Sequence, residues 1–166
     1  AGERSYRRRV LVLRHGSRPD TGADPALDEL GHEQAAAVAS YFVQEQKSDI
    51  GTLRAISAIY CSPFLRALET AAPLSAALGV PIFVEWGFSE LLAHGWLQNE
   101  NPLPSLSFCM ASGLPMRDCI DFSYRSKVMP DYPDVEGPLT PGDEVKRATA
   151  LKRHSDAVKA VLASTR

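Results

Sequence analysis

The sequence predicts an α/β fold, a three-layer α/β/α sandwich around a mostly parallel central sheet. Short apolar runs at Val10–Leu13, Ala55–Tyr60 and Val80–Val84 have strand length, and amphipathic stretches of helix length separate them. Strands that alternate with helices imply right-handed βαβ crossovers. Turn formers punctuate the boundaries, with Pro19 to Pro25 after the first run, Ser62-Pro63 after the second and Gly79 before the third.

The elements follow in order. Val10, Leu11, Val12 and Leu13 are four consecutive apolar residues bounded by charge, the pattern of a buried strand in a parallel sheet. Arg7, Arg8 and Arg9 before it read as a solvated strand entrance. The stretch around Leu27–Gln34 opens a crossover helix, and Val38, Tyr41, Phe42 and Val43 give it helical spacing out to Gln46. Ile56, Ala58 and Ile59 lead into Cys61 as a second strand. Ser62 is the expected N-cap of the next helix and Pro63 its first residue. That helix runs to about Leu78, carries Pro73 inside it with a local kink expected, and ends at Gly79, which suits a left-handed C-cap. After the third strand, Trp96–Pro138 loses periodicity and reads as an insertion over the site. Thr140 and Pro141 then open a last helix whose apolar side includes Val145, Ala148, Val158, Val161 and Leu162.

With 166 residues, 45% of them hydrophobic, the chain supports one domain, 1–166. Its 18 basic and 20 acidic residues are mixed, and the net charge of −2 argues against a nucleic-acid or anionic-membrane partner. Any anion site must be local. Cys61, Cys109 and Cys119 form neither an even framework nor a CxxC pair, so neither a disulfide scaffold nor a structural zinc site is expected, and a reducing, cytoplasmic setting fits. No apolar stretch reaches the length of a membrane span.

The chemistry gathers where the three strands end. In open α/β sheets ligands collect at such ends. Arg14-His15-Gly16 closes the first strand, Cys61 to Arg66 the second and Glu85 to Glu90 the third, which aims polar residues at one rim. A histidine beside a guanidinium, with a glycine that lets backbone come close, suits nucleophilic attack on phosphorus. The tripeptide alone is balanced between that role and a histidine that merely caps a loop. Arg14 and Arg66 can fork onto a phosphoryl group, Arg18 reaches in from the loop, and the helix N-terminus at Ser62 and Pro63 adds a favourable dipole. Glu90 can protonate a departing oxygen. Taken singly, Arg66 reads as a solvent-facing helix residue, His32 and His154 as surface residues, and His94 as a candidate for lining the crevice.

Together these segments resemble the histidine phosphatase superfamily, the group that contains cofactor-dependent phosphoglycerate mutases, fructose-2,6-bisphosphatases and many broad phosphatases. The likeness runs from about Arg8 to Leu162. It is carried by Val10 to Gly16, Leu30 to Ala35, Tyr60 to Ala67 with Thr70-Ala71, and Glu85 to Glu90. The resemblance implies a phosphoglycerate mutase-like fold, phosphomonoester hydrolysis through a phosphohistidine on His15, phosphoryl binding by Arg14 and Arg66, and proton donation by Glu90. It implies no metal and no organic cofactor, and a phosphorylated small molecule or phosphoprotein as substrate. The residues after Gly16 depart from the mutase pattern, which ranks phosphoglycerate mutase activity lowest. Arg18 in His15-Gly16-Ser17-Arg18 is similar to the acid-phosphatase arrangement and to the suppressor-of-T-cell-receptor-signalling phosphatase domains. Ser5–Arg9 and Phe122–Tyr132 favour the second. The family's last strand, which ends in a second catalytic histidine, has no counterpart after Leu162. The sequence is therefore read as C-terminally incomplete, and the alternative activity is a catalytically impaired module of the same fold that binds a phosphorylated ligand or regulates.

Overall fold

The computed structural model describes residues 9–21, 24–47, 55–90, 116–130 and 144–164. Helix α1 spans Glu29–Lys47. It starts where Asp28 accepts the Gly31 N–H at 2.7 Å through its side chain and the His32 N–H at 3.0 Å through its carbonyl, which satisfies two of the first-turn donors. Glu29 in its first turn and Lys47 in its last complement the helix dipole. Gly31, Ala35, Ala39 and Phe42 recur at helical spacing and form its buried side.

Strand β1 (Ile59–Cys61) leads into helix α2 (Leu65–Leu78) and returns as strand β2 (Ile82–Val84). The two strands pair in parallel, Ile59 with Ile82, Tyr60 with Phe83 and Cys61 with Val84. This is the βαβ unit that the alternating pattern implies. Gly79 ends α2 at φ 65°, and its N–H bonds to the Ser75 carbonyl, so the left-handed cap stands as expected. Pro73 lies within α2, which is assigned as one helix through that position. Ile120, just past a 3-10 turn at Arg117–Cys119, bridges the far side of Ile82 in parallel. The core cluster is Ala39 and Phe42 of α1, Leu68 and Leu74 of α2, both strands, Met116 and Ile120. Helix α3 covers Glu144–Ser164 and meets the 3-10 turn Trp86–Phe88 that follows β2. Among the described residues no helix is long and apolar enough to cross a membrane.

Two expectations are corrected. Val10–Leu13 forms no strand and pairs with none among the described residues; Val10, Leu11 and Leu13 are about half exposed and Val12 is 87% exposed. An unbroken apolar run records only that both faces suit cover, whereas burial comes from the neighbours, and no described segment covers this one. Ser62 is not the cap of α2 either. The chain stays extended through Phe64 (φ −65°, ψ 139°), which makes no side-chain cap bond. The cap arrives from elsewhere: both carboxylate oxygens of Asp24 accept the Leu65 N–H, at 2.9 and 3.0 Å.

Of the segment expected as an insertion over the site, 116–130 is described and lies along β2 and its exit. The rest of it, with His94, Cys109, Thr140 and Pro141, lies outside the described residues.

Candidate functional site

The turn that carries His15 is built by close backbone approach. The Ser17 carbonyl accepts the Asp28 N–H at 3.1 Å, Ser17 Oγ donates to Asp28 at 2.7 Å, and the Ser17 N–H donates to Gln34 at 2.8 Å. Residues 16 and 17 thus lie across the first turns of α1. Both glycines at the crossing are required: a methyl on Gly31 would run into the Ser17 carbonyl, and one on Gly16 would sit 2.6 Å from the Gly31 carbonyl oxygen. On the other side the Gly16 N–H donates to Thr70 Oγ1 at 3.0 Å, and that hydroxyl donates to the Arg66 carbonyl at 2.7 Å. A single threonine therefore ties the His15 turn to the first turns of α2.

The half-buried His15 ring places Nδ1 2.8 Å from the Gly16 carbonyl oxygen. A carbonyl only accepts, so this bond needs the proton on Nδ1, and the neutral ring then holds its lone pair on Nε2. That is the tautomer a nucleophile requires.

Arg66 is 5% exposed. One guanidinium nitrogen lies 2.5 Å from Glu90 Oε2 and another 3.4 Å from Asp24 Oδ1, and the Phe64 ring lies under it, 4.4 Å from the carbon centre to the ring centroid. The reading of Arg66 taken singly, as a solvent-facing helix residue, is overturned. Asp24 occupies the first N–H of the α2 terminus. Burial lowers the proton affinity of Arg66, the carboxylates of Glu90 and Asp24 oppose that, and the cationic Arg18 adds to it. The Arg18 Nη1 bonds to the exposed Asp20 at 2.8 Å, while its Nε is buried and, among the described residues, without a hydrogen-bond partner. The Asp24 carboxyl is raised from its ordinary value by burial, against the opposing effects of the Leu65 N–H and Arg66. Arg14, one residue before His15, is exposed.

The structure thus brings Arg66 and Glu90 into direct contact and joins the His15 turn to the same helix. Sequence reasoning missed three parts of this frame. Asp24 is one. The second is Glu85, counted among the residues at the rim but fully buried. It accepts from the Gly87, Lys127 and Val128 N–H groups and from the Ser126 and Tyr124 hydroxyls, at 2.6–3.1 Å. Burial alone would raise this carboxyl, but the hydrogen bonds prevail and hold it below its ordinary value. The third is the pair Arg153 and His154 on α3. His154, expected on the surface, sets Nε2 2.7 Å from the Ser89 carbonyl, and Arg153 bonds the carbonyls of Ser89 and Glu90 at 2.6 and 2.9 Å. A signal existed for Arg153: it falls on the buried stripe of Ala150, Ala157 and Val161 at helical spacing, where an arginine must find partners. Among the described residues no cluster of three or more His, Cys, Asp and Glu side chains is placed to hold a metal ion.

Residues 10–101 match the model of the histidine phosphatase superfamily (branch 1). Among solved structures, the ecdysone phosphate phosphatase of Bombix mori, in complex with tungstate, is 25% identical over 86% of this chain and 48% of its own, with a TM-score of 0.54. A mycobacterial hydrolase 1 is 21% identical over 92% of this chain and 64% of its own, with a TM-score of 0.52, a likeness of fold. The chain spans about half the length of the first and under two thirds of the second. No curated protein matches.

Proposed function

The chain belongs to the histidine phosphatase superfamily, and we propose that it hydrolyses phosphomonoesters through a phosphohistidine on His15. The observation that supports this reading is the Arg66–Glu90 contact of 2.5 Å on a helix that Thr70 ties to the turn of His15, a histidine whose hydrogen bond leaves Nε2 as the nucleophilic atom. In the proposed reaction Nε2 attacks phosphorus in line while the ester P–O bond breaks. Arg14, Arg18 and Arg66 take the phosphoryl oxygens, and the unpartnered Arg18 Nε–H gains an acceptor. A dianion arriving at Arg66 displaces the Glu90 carboxylate. Glu90, released from Arg66, gives a proton to the leaving alcohol as the general acid. Water then cleaves the P–N bond, releasing inorganic phosphate and returning a proton to Glu90.

The substrate is a phosphorylated small molecule or a phosphoprotein. The tungstate in the Bombix mori relative, a tetrahedral oxyanion, supports a phosphate-shaped site. The free thiols of Cys61 and Cys119 suit a reducing compartment such as the cytoplasm. The exposure of Arg14 and of Val10–Leu13 favours a second reading, a module that binds a phosphorylated ligand without turnover. Calorimetry with vanadate, run beside steady-state hydrolysis of an aryl phosphate, separates the two. Binding together with turnover that disappears in His15→Ala supports the phosphatase. Vanadate binding with no turnover in the unmodified protein supports the module and overturns the phosphatase.

A further inference from the structure

Helix α3 meets the loop that carries Glu90 with a buried cation. Arg153 is 8% exposed. Its guanidinium gathers three backbone carbonyls of one short segment: Ser89 at 2.6 Å, Glu90 at 2.9 Å and Gly87 at 3.4 Å. The Ser89 carbonyl, with two lone pairs to offer, also accepts from the neighbouring His154 at 2.7 Å. Ser89 itself is fully buried, and its hydroxyl donates to the Trp86 carbonyl at 2.6 Å. On the opposite flank Glu85 holds the Gly87 N–H. The segment is therefore gripped through its carbonyls by α3 and through an N–H by Glu85, while the Glu90 side chain alone extends to Arg66.

We infer that Arg153, assisted by His154, is a positioning residue that sets the backbone of Glu90 so that its carboxyl meets the leaving group. The inference rests on the phosphatase reading above. The physical argument is one of geometry. A rigid planar fork bonded to the carbonyls of residues 89 and 90 fixes the peptide plane from which the Glu90 side chain springs, and a catalytic group must be held within about 0.5 Å of its productive place. A charge on a buried helix stripe would otherwise be costly; here its hydrogen bonds run to the backbone of the acid's own segment. The bonds of Arg153 to the Ser89 and Glu90 carbonyls carry its influence on the reaction through Glu90.

Leaving-group chemistry tests this. An alkyl phosphate needs a proton on its departing oxygen, whereas a dinitrophenyl phosphate leaves as a stable phenolate and does not. Both use the same nucleophile and the same arginines. Glu90→Gln is expected to lower kcat/KM for the alkyl ester by about 10² or more, within the range of general acid catalysis, and to change the dinitrophenyl ester little. Arg153→Lys keeps the charge but loses the fork, and is expected to lower the alkyl ester about tenfold with less than a twofold change for the dinitrophenyl ester. In a Glu90→Gln background Arg153→Lys should add nothing, since two residues acting through one step are not additive. Should Arg153→Lys fail to fold, His154→Gln, which weakens one of the bonds to the Ser89 carbonyl, carries the test with about a threefold selective loss. Equal losses on both esters, or an undiminished effect in the Glu90→Gln background, overturn the inference and leave Arg153 as a fold staple. Unmodified protein that turns over neither ester overturns the phosphatase reading itself, and this inference falls with it.

Discussion

Gly31→Ala places the backbone crossing under the most direct stress. Gly31 lies in the first turn of α1, where alanine is the better helix former by about 1 kcal/mol; propensity alone therefore makes the variant more stable. The crossing reverses this. A methyl at Gly31 would point at the Ser17 carbonyl oxygen, far inside van der Waals contact, so that one backbone must give way by about 1 Å. No flexible side chain can absorb the displacement, because the obstacle is main chain. Overpacking of this kind costs about 1–3 kcal/mol, so the net loss of stability is modest, about 0–2 kcal/mol. The effect on activity is larger. The Ser17 carbonyl and amide are the bonds that hold the turn to α1, so a shift there carries His15 with it, and about 1 Å of misplacement of a reacting group can cost about 10² in rate. Thermal unfolding should show a small decrease in Tm, and hydrolysis of an aryl phosphate should fall about a hundredfold in kcat with the far-ultraviolet spectrum unchanged. Activity within twofold of the unmodified protein would refute the claim that this crossing places the nucleophile.

Other outcomes follow from the same geometry. Glu85→Gln replaces an acceptor of five hydrogen bonds by a group with two donors of its own, which leaves buried N–H groups without partners; a loss of about 3 kcal/mol is expected in urea unfolding. The Glu85 carboxyl is held below its ordinary value of 4.5, so its contribution to stability is complete above that pH and is lost as the pH falls through the lower folded value. Acid titration of Tm should therefore be steeper in the unmodified protein than in Glu85→Gln. Arg66→Lys keeps a charge but not the fork, and calorimetry should show inorganic phosphate binding at least tenfold weaker; unchanged affinity would remove Arg66 from the phosphoryl site.

The sequence made local features legible and left the long-range ones hidden. Helix α2 with its glycine cap, β2, and the parallel pairing across a crossover are set by periodicity, propensity and turn chemistry within a dozen or so residues, and these stand as expected. The nearness of Arg66 and Glu90 was expected because strand ends in such sheets share a rim. Val10–Leu13 marks the limit of pattern, since hydrophobicity states what a strand would bury and not whether a neighbour is there to bury it. Asp24 was illegible for a related reason: it caps a helix that starts 41 residues further along the chain, and no local motif records such a bond. Glu85 looked like its polar neighbours at the strand end, and only the return of Tyr124, Ser126, Lys127 and Val128 turns it inward. Arg153 carried a signal that was not read: it falls on the buried stripe of Ala150, Ala157 and Val161, whereas the apolar side expected of that helix was Val145, Ala148, Val158, Val161 and Leu162.

The central claim is that His15 becomes phosphorylated. Rapid-quench labelling with a phosphate ester radiolabelled on phosphorus, followed by peptide mapping at alkaline pH where phosphohistidine survives, tests it without reference to substrate identity. The account predicts acid-labile label on the peptide that contains His15, absent in His15→Ala and discharged on a chase with unlabelled ester. Turnover in the unmodified protein with label on another residue, or undiminished labelling in His15→Ala, would contradict it.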